Sequence, residues 1–447
     1  MPSEGHDHDN HGRRAQSPPT GYRVRYRPLL AGEKGTPGAV HAAALAPAVG
    51  GLLPLVPLVH AFGTGHGDRF GAAGTLLFLT VCALALVALV NAALTVYAAR
   101  AAREPVPAKP GSGTAVAFLA TYAPDGVPLP AVRAVLEGAV QLRHSGPLDV
   151  WLLDEGDDPE ARMLCAELGV HHFTRKGVPE WNQERGAHEA GSEHGNHNAW
   201  IAKHGDAYGL IVCVETGRVP RPGLLERMTG YFRDPDIAFV VGPPADRYED
   251  GRHAGFRLRT LAQRAANRRG APVLDGTCTV VRVEALRRAG GFRATASGDM
   301  VTGLDMHGRP NPLTGRDWRS VHTSEAQTDE TADGSPHGRA PYGPLPSLYG
   351  KALFRMSPGR LLGYALLLLQ RPAAFANWVL CALTCLLFPM SVWALAALPV
   401  ALAPAAALLL TRLRERRARA AGARAVRTHQ DAEHAPAASA GTAAPGS

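Results

Sequence analysis

The stretch Leu210-Ile-Val-Cys-Val-Glu215-Thr-Gly217-Arg-Val-Pro220 decides the fold. Ile211 to Val214 is an unbroken apolar run of strand length, which reads as a short strand buried on both faces of a parallel sheet. The run stops at a carboxylate, Glu215, and turn-forming Thr216 and Gly217 follow at once. Ligands of open α/β sheets bind outside the carboxyl ends of the strands, so Glu215 is expected on the lip of a site.

Working outward, the same grammar repeats. Ala115 to Ala120 is a strand candidate, and a loop follows from Thr121 to Gly126. Pro130 to Gln141 has helical spacing, with Val132, Val135, Leu136 and Val140 on one face. Asp149 to Leu153 is a second strand, running into Asp154-Glu155-Gly156-Asp157-Asp158; Pro159 to Leu168 is a helix and Val170 to Phe173 a third strand. Downstream, Pro222 to Phe232 reads as a helix and Ile237 to Val241 as a strand. Gly276 to Val281, Gly290-Gly291-Phe292 and then Asp299 come next. Strands alternating with helices predict an α/β fold with a mostly parallel sheet and right-handed crossovers. From Arg309 to Pro346 the composition turns to Gly, Pro and polar residues, which predicts a long loop of the functional or disordered kind.

Charge is uneven along the 447 residues, sparse in two regions near the ends and dense in the middle. The net charge of +8 comes from 47 basic and 39 acidic residues. The basic residues cluster beside apolar spans rather than forming one patch interleaved with aromatics, which fits lipid head groups and argues against nucleic acid. The six cysteines form no Cys-x-x-Cys pair and read as reduced packing residues of a cytoplasmic domain.

These shifts divide the chain. Residues 1–36 read as a disordered polar tail without an early apolar signal segment; His6, His8 and His11 within it are a weak metal-binding pattern. Residues 37–103 read as a transmembrane hairpin, from Val40 to Phe62 and from Gly71 to Ala98. A linker over 104–113 precedes the main domain, 114–346. Residues 347–371 carry Lys351, Arg355 and Arg360 among apolar residues, a pattern suited to an interfacial helix. A second hairpin is expected over 372–411, and 412–447 form a basic and then disordered tail. Arg23, Arg25 and Arg27 before the first hairpin, Arg100 and Arg103 after it, and the arginines from Arg412 to Arg419 place both ends of each hairpin in the cytoplasm. The expectation is a multi-pass plasma-membrane protein whose main domain is cytoplasmic. The best apolar spans hold no acid or base, which argues against a channel or transporter.

Read from the residues alone, Asp299 after Gly298 is a turn or cap residue or a general base. Asp154, at a strand end, is a ligand contact or a cap of the next helix, with Asp157 and Asp158 competing for that cap. His188, His194 and His197, with nearby glutamates, read either as an exposed polar loop, because Gly191 and Gly195 break helical continuity, or as a metal site.

In order and spacing, several segments between Val116 and Ala326 resemble the family 2 glycosyltransferases, in their membrane-bound cellulose-synthase-like branch. Val116-Ala-Phe-Leu-Ala-Thr-Tyr-Ala-Pro-Asp is similar to the opening strand and its Pro-Thr-Tyr-Asn-Glu loop. Asp149-Val-Trp-Leu-Leu-Asp-Glu-Gly is similar to the strand ending in Asp-Asp-Gly, and Gly195-Asn-His-Asn to the Lys-Ala-Gly-Asn-Leu-Asn segment, with Glu193 where the Lys would stand. Gly223 to Asp236 resembles the helix after the metal motif. Gly276 to Phe292 resembles the block that ends in Gly-Gly-Phe, and Ser297-Gly-Asp299 falls where the family has Thr-Glu-Asp.

The resemblance implies a GT-A-like domain between the membrane hairpins and inverting transfer of a sugar from a nucleotide sugar, UDP-linked, to a glycan or lipid acceptor. It implies Asp299 as general base, and Thr121, Tyr122, Asp154, Asn196 and Glu215 as nucleotide-sugar contacts. It further implies Gly276, Thr277 and Arg355 at the acceptor, and Mg²⁺ or Mn²⁺ held by Glu215. Membrane lipids and subunits of an envelope polysaccharide complex are the implied partners. Two motifs depart. The metal-binding Asp-x-Asp falls on Glu215-Thr-Gly217, and no Gln-x-x-Arg-Trp stands around Leu348 to Met356, where Arg355 is the one match. The competing reading is therefore a catalytically degenerate relative that acts as a binding or scaffold subunit.

Overall fold

The computed structural model describes residues 21–29, 56, 60, 71–123, 126, 128–214, 217–243, 254–274, 278–294, 298–325, 327–330, 355–364, 368, 375–376, 378–379 and 382. The chain forms two compact units, one of Met1–Leu45 with Asn91–Gln370 and one of Ala46–Val90 with Arg371–Ser447.

The first elements are β1 (Tyr26–Pro28), α1 (Gly71–Ala101) and β2 (Arg103–Pro105). Then come β3 (Val116–Tyr122), α2 (Leu129–Val140), β4 (Leu148–Asp154), α3 (Pro159–Leu168), β5 (His171–Phe173), α4 (Glu193–His204) and β6 (Leu210–Val214). They are followed by β7 (Arg218–Pro220), α5 (Leu224–Met228), β8 (Ile237–Val241), α6 (Ala254–Asn267), β9 (Cys278–Arg282), α7 (Val283–Ala289), α8 (Gly298–His307), β10 (Arg319–His322) and β11 (Thr328–Glu330).

The main sheet has seven strands in the order β10-β8-β9-β6-β3-β4-β5. β3 pairs in parallel with β4 and β6, β4 with β5, and β8 with β10, while β9 runs antiparallel to β6 and β8. The mostly parallel α/β sheet expected from the sequence is thus present, with β6 near its centre and every residue of β6 buried.

The two faces of the sheet follow the strand period of two. Val116, Phe118, Ala120 and Tyr122 of β3, with Leu210, Val212 and Val214 of β6, pack under α2, α3 and α5. Ala117 and Leu119, with Ile211 and Cys213, face Trp200 of α4, Leu286 of α7 and Met306 of α8. Burial on both faces explains why these strands read as unbroken apolar runs.

Several expectations are revised. The stretch read as a polar tail contains β1, which pairs antiparallel with β2; beside it Arg23 reaches Asp234 and Asp236, both at 2.6 Å. The long polar loop from Arg309 contains β10 and β11, and β11 pairs with β7. These strands are short and mostly polar, so their pairing partners define them rather than their own pattern. Arg360, expected at the membrane interface, is buried and donates to the His307 carbonyl at 2.9 Å.

Among the described residues, Phe78–Ala101 is long and apolar enough to cross a membrane, at 24 residues and mean hydropathy 2.4. Apart from a few single residues, the span expected over Val40 to Phe62 and the hairpin over 372–411 lie outside the described residues, as does the tail beyond.

Candidate active site

Tyr122 and Asp154 close β3 and β4 side by side, in register at the carboxyl edge of the sheet. Asp154 is fully buried. Its Oδ1 accepts from the backbone N–H of Gly156 (2.9 Å) and Asp157 (3.0 Å), and its Oδ2 from Asp158 N–H (2.6 Å) and His172 Nε2 (3.1 Å). A carboxylate has about four acceptor sites, so this one is saturated. Asp154 therefore shapes the acidic turn. Asp158 provides the cap, accepting from Glu160 N–H at 2.9 Å with one oxygen and from the Tyr122 hydroxyl at 3.0 Å with the other. Burial, and after it the hydrogen bond to Asp158, pushes the Tyr122 phenol up to about 12.

Glu155 turns the other way, onto Arg175. This fully buried guanidinium also donates to the carbonyls of Trp181, Glu189 and Ser192 at 2.7, 2.9 and 3.2 Å. One side chain thereby fixes the path of the loop from 176 to 192.

That loop delivers α4, a helix where the sequence predicted a polar loop. Ser192 caps it, its Oγ accepting from Gly195 N–H at 2.9 Å. The glycines that argued against a helix sit before it and in its capped first turn, where they do not interrupt its hydrogen bonding. Asn196 donates to the Leu153 carbonyl at 3.2 Å, so it stands beside the end of β4. Asn198 donates to the carbonyls of Ala187 (2.6 Å) and Phe292 (2.8 Å) and accepts from Phe292 N–H (2.8 Å), tying α4 to the Gly-Gly-Phe segment. His194 Nε2 lies 2.9 Å from Oδ1 of Asp299, which opens α8.

The structure thus sets Asn196 beside the end of β4, the strand that Asp154 closes, and brings His194, on the same turn of α4, against Asp299; Tyr122 closes the neighbouring strand β3. Thr121 is half-buried, one residue before the end of β3. Arg355 is exposed, just before the helical turn at 358–364. Glu215, Gly276 and Thr277 lie outside the described residues. Arg175, His194 as the partner of Asp299, and Asn198 were missed as site-building residues; the sequence marks them only by proximity to motif segments.

Two observations bear on a divalent cation. Asp154, Asp157 and His172 bring ligand atoms within 4.8 Å of one another. As arranged they do not suit one, since the Asp154 oxygens are saturated and Asp157 is paired with Arg162. Gly217, expected from the sequence at the second carboxylate position of Asp-x-Asp, has φ of 84°, a conformation that favours glycine over residues with a side chain.

No family model matches the chain. Over 207 residues it is 28% identical to the cellulose synthase catalytic subunit [UDP-forming] of Xanthomonas axonopodis pv. citri (strain 306), covering 43% of this chain and 26% of that protein. The chain thus spans about a quarter of the length of this curated relative. Among solved structures, a mannosyltransferase from Pyrobaculum calidifontis in complex with GDP-Man and Mn²⁺ aligns with TM-score 0.45 and 16% identity, over 84% of this chain and 91% of that one. Glucosyl-3-phosphoglycerate synthase from Mycobacterium tuberculosis aligns with TM-score 0.38 and 14% identity, over 54% and 80%. On the sequence relationship, with the mostly parallel sheet beside it, this is a family 2 glycosyltransferase-like chain.

Proposed function

We propose that the chain is a membrane-anchored glycosyltransferase with its main domain in the cytoplasm. It moves a sugar from a nucleotide sugar, UDP-linked, to a polysaccharide, lipid or other envelope acceptor by inverting transfer. The observation that carries this reading is the gathering at the first turn of α4: Asn196 binds the end of β4 while His194, on the same turn, meets Asp299. The acidic turn and the proposed base thus share one edge of the sheet, where α/β folds bind ligands.

In this reading Asp299 accepts the proton of the acceptor hydroxyl. The acceptor oxygen bonds to the anomeric carbon as the bond from that carbon to the diphosphate oxygen breaks. The electron pair leaves with the nucleoside diphosphate, and the anomeric configuration inverts. Thr121, Tyr122, Asp154 and Asn196 line the donor side, and Gly276, Thr277 and Arg355 serve the acceptor. Glu215 is the proposed ligand for Mg²⁺ or Mn²⁺, on the strength of its place in the sequence.

A second reading, a non-catalytic binding or scaffold subunit of an envelope polysaccharide complex, is favoured by Gly217 and by the missing Gln-x-x-Arg-Trp. The deciding experiment is calorimetry of UDP, UDP-glucose and UDP-N-acetylglucosamine on the detergent-solubilised full chain, with and without Mn²⁺. Micromolar binding, followed by UDP release that Asp299→Asn abolishes while donor binding persists, supports the enzyme. No binding of any nucleotide supports the scaffold.

A further inference from the structure

We infer that His194 is the positioning residue for Asp299, fixing the orientation of the carboxylate and keeping it ionised for the proton it is to accept. The inference rests on the transferase reading above and assigns a role to a residue for which that reading has none.

The two residues are 105 positions apart, yet His194 Nε2 and Asp299 Oδ1 stand at 2.9 Å, with side chains only 15% and 17% exposed. Each sits in the first turn of a helix anchored for reasons of its own. On the α4 side, Ser192 caps the helix, and its carbonyl is held by the buried Arg175 guanidinium. On the α8 side, Gly298 makes the approach feasible. A Cβ at that position would collide with the Arg293 carbonyl oxygen and lie 3.1 Å from Cε1 of His194. The Phe292 ring, 5.6 Å from the imidazole between centroids, gives the pair an apolar wall.

An N–H donated to a carboxylate favours its charged form, the form a general base needs. In a site shielded from water the same bond removes rotational freedom that would otherwise misdirect the oxygen. On the elements that carry the pair, the nearby ionisable groups in sequence include Glu193 and His197 on α4, and Arg293 and Asp305 before and within α8. Arg293 and Asp305 pair with each other at 2.6 Å. His194 Nε2 is an N–H-bearing group in contact with Asp299.

The sign follows. Removing the His194 N–H raises the proton affinity of Asp299, so the acid limb of the kcat profile moves to higher pH. The test uses the detergent-solubilised full chain and follows UDP release from UDP-glucose and UDP-N-acetylglucosamine between pH 5 and 9. His194→Ala is expected to lower kcat at least about tenfold, leave donor KM within about twofold, and shift the acid limb upward. His194→Gln, which retains an N–H donor, is expected to recover part of kcat and part of the shift. Wild-type kcat and acid limb in His194→Ala would overturn the inference and leave the transferase reading standing. A wild-type chain that neither binds nor turns over a donor overturns both. Should His194→Ala not fold, the imidazole titration of His194, read by NMR in wild type and Asp299→Asn, decides. A fall on loss of the carboxylate supports the pairing, and an unchanged titration overturns it.

Discussion

Arg175 and Glu155 form a two-pronged ion pair beneath the candidate site, Nε to Oε2 at 2.9 Å and Nη2 to Oε1 at 2.7 Å. The guanidinium is fully buried and the carboxylate 22% exposed. A buried charge is tolerated only when paired and hydrogen-bonded, and here the pairing has a structural product. The remaining N–H groups of Arg175 bind loop carbonyls up to Ser192, so the ion pair sets where α4 begins.

Glu155→Ala leaves that guanidinium buried without its counter-charge. The expected loss is on the order of 3 kcal/mol, read as a lower melting temperature by tryptophan fluorescence. Because the damage enters through the loop, protease cleavage between 176 and 192 should accelerate more than cleavage elsewhere. Glu155→Gln retains one acceptor and is expected to fall between the two. Uniform cleavage along the chain would show that the pair does not control the loop.

Asp154 is a second anchor with a different failure mode. Asp154→Asn keeps the size but removes one acceptor oxygen, leaving N–H groups of the 156–158 turn unsatisfied. Each unsatisfied buried donor costs about 1–3 kcal/mol, so the melting temperature should drop by several degrees. Donor binding should weaken through loss of turn shape, and stabilising solutes should restore it in part. Normal stability with abolished binding would instead identify Asp154 as a direct contact.

Asn198 couples α4 to the segment before α8, using both ends of its amide on Ala187 and Phe292. Asn198→Ala is expected to cost about 2–4 kcal/mol, since three hydrogen bonds are lost in a buried setting. Asn198→Asp should be worse, because it sets a carboxylate against two carbonyl oxygens. Comparing the melts of the two variants checks the order.

What was legible in the sequence follows from range. Leu210–Val214, Ile237–Val241 and the strand ending at Asp154 were readable because apolar runs need only local inspection. Helix α3 was readable from Pro159 at its first position. Helix α4 was not: its glycines and its apolar content, confined to Ala199-Trp200-Ile201-Ala202, conceal a helix that its Ser192 cap and tertiary packing stabilise. Helix α6 carries arginines between alanines, and its burial rests on Leu261, Ala262 and Ala265 meeting α1 residues such as Ala98. The site was legible as separate segments, whereas the contacts that assemble it span 43 residues from Asn196 to Leu153 and 105 from His194 to Asp299. No local pattern encodes such distances.

The last prediction concerns acid. His307, at the end of α8, is buried; its Nε2 is 2.9 Å from Ser320 Oγ and its Nδ1 2.8 Å from the Tyr364 hydroxyl. Ser320 already gives its one proton to the Pro272 carbonyl at 2.8 Å. Nε2 must therefore be the donor to Ser320, and Nδ1 accepts from Tyr364. Protonating Nδ1 would set two donors face to face, beside the charge of Arg360. Burial, reinforced by Arg360, accordingly holds the imidazole well below its ordinary value of 6.5. The unfolded chain then binds a proton that the native chain refuses, so this contribution to stability is present above about pH 6.5 and is lost as pH falls toward the native value. One such group steepens the loss by up to about 1.4 kcal/mol per pH unit. His188 and His204 are also pushed down, first by burial, and add to the wild-type slope, so the informative quantity is a difference between proteins. His307→Gln should melt lower than wild type at pH 7.5, yet lose less stability between pH 6.5 and 5. Equal slopes in the two proteins would mean that His307 takes up its proton without unfolding the helix end it holds.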